Sequence, residues 1–430
     1  MPTLKDRSMK RETHSRFLIR VACFLLFLCV VAQMSASPRA TKNLKPTVIL
    51  IALDGFRYDY LEKYQSPNLD RLWRAGVRAK WLTPAFPSLT FPSHYSIATG
   101  LYAEHHGIVG NRMYDPVFDQ SFASNKSENV QDGRWWQGEP IWVTAEKQGQ
   151  RSAAYFFPGT EAAIDGVRPS YWKRYDKKIA NAKRVDQVLA WLDLPAAKRP
   201  TFIAAYFSDV DTAGHDYSPD SVEVGRAVAE VDRQIGSLVA GLKRRGIYER
   251  VNIIVVSDHG MTAIDPSHVV FLDDYFDLSQ AAQIVSPAEL VNIFPAAGAE
   301  ESIARTLLAK PLAHAACYRK SEIPARFHYR DHRRIAPFVC MAEEGWKLTT
   351  RELYAEAKRK NEKPKLGAHG YDNQLASMRA IFLAHGAAFK RGAVVEPFEN
   401  VDVYQIMTSI LRLTPAPNDG DARTMQAVLR

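Results

Sequence analysis

Three apolar runs that each break off at acidic residues constrain this chain more than any other feature. Residues 46–53 read PTVILIAL and stop at Asp54-Gly55; residues 201–207 read TFIAAYF and stop just ahead of Asp209 and Asp211; residues 251–256 read VNIIVV and stop before Asp258-His259-Gly260. Continuous β-branched runs without polar alternation are strands buried on both faces, as in a parallel sheet covered by helices. An amphipathic stretch over residues 219–243, closed by Arg244-Arg245-Gly246, supplies a helix between the last two. The pattern predicts an α/β fold with a central, mostly parallel sheet flanked by helices. Carboxylates at the C-terminal strand ends place a ligand site on the sheet's carboxyl edge.

With 430 residues and 46% hydrophobic content, the chain can bury a large core. A single domain is expected over residues 45–430. Residues 274–366 are less regular, with β-like pieces around RFHY (326–329) and APFVC (336–340), and read as a smaller subdomain inserted over one edge of the site. The chain returns to the sheet with RAIFLAHG (379–386) and finishes in the helix VDVYQIMTSILRL (401–413).

The N-terminus has the order of an export signal: a basic region, a short apolar run over residues 21–32, then small residues up to position 37. That run falls short of the roughly 20 apolar residues needed to span a bilayer. A cleaved signal over residues 1–37 and a periplasmic or secreted protein without membrane attachment are expected. Cleavage lowers the formal charge from +9 to about +5, and without a long Lys/Arg run no stable nucleic-acid complex is expected. Cys317 and Cys340 then remain. In an exported chain they either form one disulfide, contributing roughly 3 kcal/mol in the chain-entropy model, or stay as two buried thiols.

The candidate metal ligands are Asp54, Asp211, His215, Asp258, His259 and His369. Each alone is an ordinary turn or structural residue. Together, three carboxylates and three imidazoles exceed what one tetrahedral ion takes and suffice for two zinc-like ions. Two ions about 4 Å apart can clamp the attacking and leaving oxygens of an in-line phosphoryl transfer and activate a hydroxyl. Thr90, in FPSLTFPSHYSIATG (86–100), is either the N-cap of a helix opened by Pro92 or that hydroxyl. At a helix N-terminus it would also sit beside N–H groups that favour an anion. Asn111, in GIVGNRMYD, is either a turn residue or a side-chain donor to an oxyanion.

The blocks LDGFRYDYL, TPAFPSLTFPSHYSIATGLYAEHHGIVGN, DVDTAGHDYSP, VVSDHGM and GAHGYDN occur in this order between residues 53 and 373. In this the chain resembles the nucleotide pyrophosphatase/phosphodiesterase family of the alkaline-phosphatase superfamily, particularly its single-domain bacterial members. The resemblance implies an alkaline-phosphatase-like fold and hydrolysis of nucleotide phosphodiester or pyrophosphate bonds to nucleoside 5′-monophosphates. Thr90 would be the nucleophile and would carry the nucleotidyl group. Asp54, Thr90, Asp258 and His259 would hold one Zn²⁺, and Asp211, His215 and His369 the second. Asn111 and the Thr90/Phe91 backbone would bind the non-bridging oxygen. Phe91 and Tyr206 match the aromatic pair that sandwiches a base, with Tyr175 as a third aromatic. Two departures remove no ligand: Ser93 stands where the family usually has Asn, and Ser218-Pro219 replaces a common Gly-Pro.

Other branches on the same scaffold hydrolyse choline or lipid-headgroup phosphodiesters, or phosphonoacetate. A sulfatase would need a Cys-x-Pro-x-Arg motif, which the sequence lacks. A secreted binding protein keeping the fold without the chemistry is the reading from another class. The presence of all six ligands and the hydroxyl argues against it.

Overall fold

The computed structural model describes residues 44–286 and 288–430, so the expected export signal lies outside the described residues. The central sheet uses β1 (Val48–Leu53), β2 (Val77–Ala79), β3 (Ser152–Tyr155), β4 (Tyr171–Lys173), β5 (Phe202–Phe207), β6 (Asn252–Val256), β7 (Phe382–His385) and β8 (Ala393–Val395). Their spatial order is β8-β2-β7-β6-β1-β5-β3-β4. All neighbours run parallel except β7, which is antiparallel to both β2 and β6.

All three apolar runs become adjacent strands. β1 lies in the middle, with Leu53 level with Phe207 on one side and Ala52 level with Val256 on the other. Every residue of these three strands is buried, which their unbroken hydrophobicity requires. The register brings Asp54, Asp211 and Asp258 to the same carboxyl edge. There the chain turns at Gly55, whose φ is +66° and where a Cβ would sit 2.8 Å from Asp211 Cα. Only glycine allows β1's exit to pass so close to the following acidic segment.

Four helices matter for the site. α1 (Thr90–Thr99) starts at the carboxyl edge, α2 (Asn181–Leu192) packs on β5 and β3, α3 (Asp209–Tyr217) follows β5 directly, and α4 (Val222–Arg244) packs against α2 and α3. The Ser221 hydroxyl accepts the Val224 N–H and opens α4.

Residues 281–342 contain a separate four-stranded antiparallel sheet with its own hydrophobic cluster, including Val291, Ile293 and Phe338. Cys317 and Cys340 face each other across two of its strands and form a disulfide. APFVC contributes the strand Phe338–Ala342. RFHY is not a strand: it lies in a short 3-10 turn over Ala325–Phe327 that ends at His328 with φ +47°. Pro324 precedes the turn, and Phe327 and Tyr329 plug against Phe86 with ring centroids 4.5 and 5.3 Å away. These side chains fill a gap instead of alternating across a pleat.

Candidate active site

Thr90 is the first helical residue of α1. Leu89 occupies the cap position, and no side chain caps this end. The Thr90 hydroxyl is therefore not spent on the helix. Its Oγ1 lies 3.4 Å from His259 Nε2.

Around it stand the six expected ligands. Asp54, Asp258 and His259 offer atoms within 4.8 Å of one another, and so do Asp211, His259 and His369. His259 Nε2 is 3.0 Å from Asp258 Oδ2 and 3.4 Å from Asp54 Oδ1. On the other side, His215 Nε2 is 3.3 Å from Asp211 Oδ1 and 3.1 Å from His369 Nε2. His259 and His369 stack at 3.5 Å, joining the two groups into one cluster.

The donor set fits divalent ions. Asp54 Oδ1, Asp211 Oδ1 and Asp258 Oδ2 are buried oxygens without a hydrogen-bond partner, and all three belong to the cluster. The imidazoles are oriented by backbone carbonyls at their other nitrogen: His215 Nδ1 at Gly367, His259 Nδ1 at Gly260 and His369 Nδ1 at Ser88, at 2.7 to 2.8 Å. Each Nδ1–H donation leaves the Nε2 lone pair facing the cluster, the arrangement a metal-binding histidine requires.

Electrostatics reflect the crowding. Burial, then the neighbouring Asp258 and Asp211, push the Asp54 carboxyl well above its usual range. Burial also opposes ionisation of Asp258, but the facing His259 and His94 hold it well below that range. Burial, with His259 and His215 nearby, pushes His369 down. Three carboxylates in one dry pocket need positive charge, and the pattern fits a cation site.

Sequence reasoning assigned no role to His94, four residues after Thr90. Its buried ring faces back along α1, with Nδ1 2.9 Å from the Thr90 carbonyl oxygen and 3.1 Å from Asp258 Oδ2. The i, i+4 spacing on a helix was the available signal.

Asn111 lies at the end of a loop held by two side chains more than two hundred positions downstream. Tyr329 donates to the Val109 carbonyl at 2.8 Å, and the fully buried Arg334 donates to the Gly107 carbonyl at 2.7 Å while pairing with Asp115. Asn111 Oδ1 accepts the Phe91 N–H at 2.9 Å, so that backbone donor is already engaged and the Asn111 NH₂ is the one left over.

A cavity of about 700 Å³ opens from this cluster, lined by Asp54, Thr90, Phe91, Asn111, Tyr175 and Tyr206, among others. The three aromatics differ. Tyr206 is only 8% exposed, and its hydroxyl donates to Asp54 Oδ2. Tyr175 is 44% exposed, with its ring edge-on to Phe156 and Tyr206. Phe91 is half-buried against Phe122 and Trp136.

Residues 48–372 match the family model of type I phosphodiesterase / nucleotide pyrophosphatase. Among curated proteins, the chain is 40% identical over 391 residues to the venom phosphodiesterase CdcPDE of Crotalus durissus collilineatus, covering 89% of this chain and 46% of that one. It is 37% identical to ectonucleotide pyrophosphatase/phosphodiesterase family member 3 of Bos taurus, covering 94% and 46%. The chain thus spans about half the length of these relatives. Among solved structures, murine ectonucleotide pyrophosphatase/phosphodiesterase 5 superposes with a TM-score of 0.82 at 34% identity, covering 89% of this chain and 100% of that one. An inactive threonine-to-alanine form of that murine protein, in complex with AMP, matches equally well. Fold and site together define an alkaline-phosphatase-like α/β protein with a cluster of carboxylates and imidazoles at the sheet's carboxyl edge whose donor set suits divalent ions. The chain belongs to the type I phosphodiesterase/nucleotide pyrophosphatase family.

Proposed function

We propose that the chain is an exported zinc-dependent phosphodiesterase that hydrolyses nucleotide phosphodiester and pyrophosphate bonds to nucleoside 5′-monophosphates. The observation that carries this reading is the uncapped Thr90 hydroxyl, 3.4 Å from His259 Nε2 and beside three unpartnered carboxylate oxygens. The names of the venom and bovine relatives and the AMP complex of the murine neighbour point the same way.

Asp54, Thr90, Asp258 and His259 would hold one Zn²⁺ and Asp211, His215 and His369 the other, which when bound supply Lewis-acid polarisation and a lowered hydroxyl pKa. Thr90 Oγ1 forms a bond to phosphorus as the bond from phosphorus to the leaving oxygen breaks, giving a nucleotidyl-threonine. Water then cleaves the threonine–phosphorus bond, releases the nucleoside 5′-monophosphate and restores the hydroxyl. The Asn111 NH₂ stabilises the non-bridging oxygen during both steps. For the base, the exposed Tyr175, which lines the same cavity as Phe91, is better disposed than Tyr206, whose hydroxyl instead fixes Asp54.

The test compares kcat/KM for the p-nitrophenyl ester of a nucleoside 5′-monophosphate, p-nitrophenyl phosphorylcholine and p-nitrophenyl phosphate, with metal content measured on the same sample. Preference for the nucleotide ester at two zinc per chain supports the proposal. Preference for the choline ester moves the substrate to lipid headgroups.

A further inference from the structure

One wall of the cavity carries charge that the reaction does not use. Arg174, Lys177 and Lys178 line it together with Thr90, Asn111 and Tyr175. All three are exposed, and among the described residues their side chains have neither an ion-pair partner nor a hydrogen bond. Two carboxylates line the cavity with them and are oriented by neutral donors, Asp176 Oδ1 by the Lys178 backbone N–H at 2.9 Å and Glu161 by the Tyr175 N–H at 2.8 Å and Gln131 Nε2 at 3.2 Å, so the three cations outnumber them and leave this stretch net positive. Three unpaired cations on one wall of one cavity suit an anion carried by the ligand.

Their place in the chain says which part of the ligand carries it. They flank Tyr175, the aromatic assigned to the nucleoside, whereas the scissile phosphorus belongs at Thr90 and Asn111. A base is uncharged, so an anion beside Tyr175 sits on the ribose. Resting on the nucleotide reading above, we infer that Arg174, Lys177 and Lys178 form a subsite for a phosphate on the ribose 2′ or 3′ oxygen of the nucleotide being cleaved.

The test measures kcat/KM for NADP⁺ against NAD⁺, which isolates a 2′-phosphate, and for coenzyme A against 3′-dephospho-coenzyme A, which isolates a 3′-phosphate. Wild type is compared with Arg174→Gln/Lys177→Gln/Lys178→Gln and with Lys177→Glu/Lys178→Glu, and a thermal melt checks the fold. The ratio of phosphorylated to unphosphorylated substrate should fall roughly tenfold in the first variant and further in the second. Raising salt from about 50 to about 500 mM should lower the wild-type ratio towards the variants'. The pair that responds shows which oxygen is read. Cleavage of NAD⁺ with both ratios unmoved overturns the subsite alone, and so does a loss that follows the number of leaving-group phosphates. Cleavage of none of the four by an enzyme that still hydrolyses the choline ester overturns the nucleotide reading itself.

Discussion

The side-chain carbonyl of Asn111 accepts the backbone N–H of Phe91 at 2.9 Å, tying the residue after Thr90 to a loop twenty positions downstream. With Oδ1 committed, the NH₂ is the part of the amide free to meet a phosphoryl oxygen. Asn111→Asp keeps the acceptor and loses the donor, so it separates tie from donor. We expect kcat to fall about 10²-fold or more in both Asn111→Asp and Asn111→Ala, with the melting temperature retained in the Asp variant. Near-normal kcat in Asn111→Asp would leave Asn111 as a loop tie only.

Thr90 offers its hydroxyl to the cluster and nothing to the helix cap. Thr90→Ala should remove nearly all turnover while zinc content and melting temperature stay close to wild type, because the six other proposed ligands remain. The informative measurement is metal analysis beside activity on one preparation. An active Thr90→Ala enzyme would end the covalent mechanism.

Tyr175 and Tyr206 line the same cavity but differ in exposure and partners, and two substitutions read the difference. Tyr175→Ala should mainly raise KM for nucleotide esters, as should Phe91→Ala, with little change on a diester that lacks a base. Tyr206→Phe keeps the ring and removes the hydrogen bond that orients Asp54; it should weaken zinc retention about 10- to 100-fold under chelator challenge. A KM effect from Tyr206→Phe without zinc loss would return Tyr206 to the base.

Strand ends were the legible part of this sequence. Unbroken apolar runs can only be doubly covered strands, and residues placed directly after them share an edge whatever the loops do, so Asp54, Asp258 and His259 come within 4.8 Å of one another. The aromatic contacts were less legible, because a tyrosine on a buried strand and one on an exposed loop look alike in sequence. The loop carrying Asn111 depends on Tyr329 and Arg334, over two hundred residues away, and no local pattern reports that. Ser93 is another tertiary case. Its hydroxyl donates to the Asp258 carbonyl at 2.5 Å and accepts from Asn400 at 2.8 Å, so a distant Asn amide ties this turn of the helix to the strand end that carries Asp258.

His106 gives a pH dependence separate from catalysis. The fully buried ring accepts the Ile108 N–H at Nδ1, 3.1 Å away, and places Nε2 3.0 Å from the Ser96 hydroxyl, so it is held neutral. Burial, then the nearby His332, push its pKa down to about 3. The folded value lies below the unfolded value of about 6.5, so its stabilisation is complete above that pH and declines as pH falls towards 3. At pH 5 the loss is about 2 kcal/mol. Urea unfolding of chelator-treated protein at pH 8 and pH 5 should show His106→Gln less stable at pH 8 but losing about 2 kcal/mol less on acidification than wild type. Equal losses would mean that His106 does not couple to the proton.

Ser218 ends α3 with φ +76° and ψ 149°, a conformation that glycine adopts freely and a side chain adopts at a cost of roughly 1 to 3 kcal/mol. The backbone there is constrained from both sides. Its N–H donates to the Gly214 carbonyl at 3.0 Å, its own carbonyl accepts the Ser221 N–H at 3.3 Å, and Pro219 follows. The serine cannot relax without breaking the turn between α3 and α4. Ser218→Gly should therefore raise unfolding stability, by about 1 kcal/mol after subtracting the greater freedom glycine gives the unfolded chain. The gain should appear as a higher urea midpoint at unchanged m-value, with zinc content unaffected. A lower midpoint would show that the serine hydroxyl makes contacts worth more than the backbone strain.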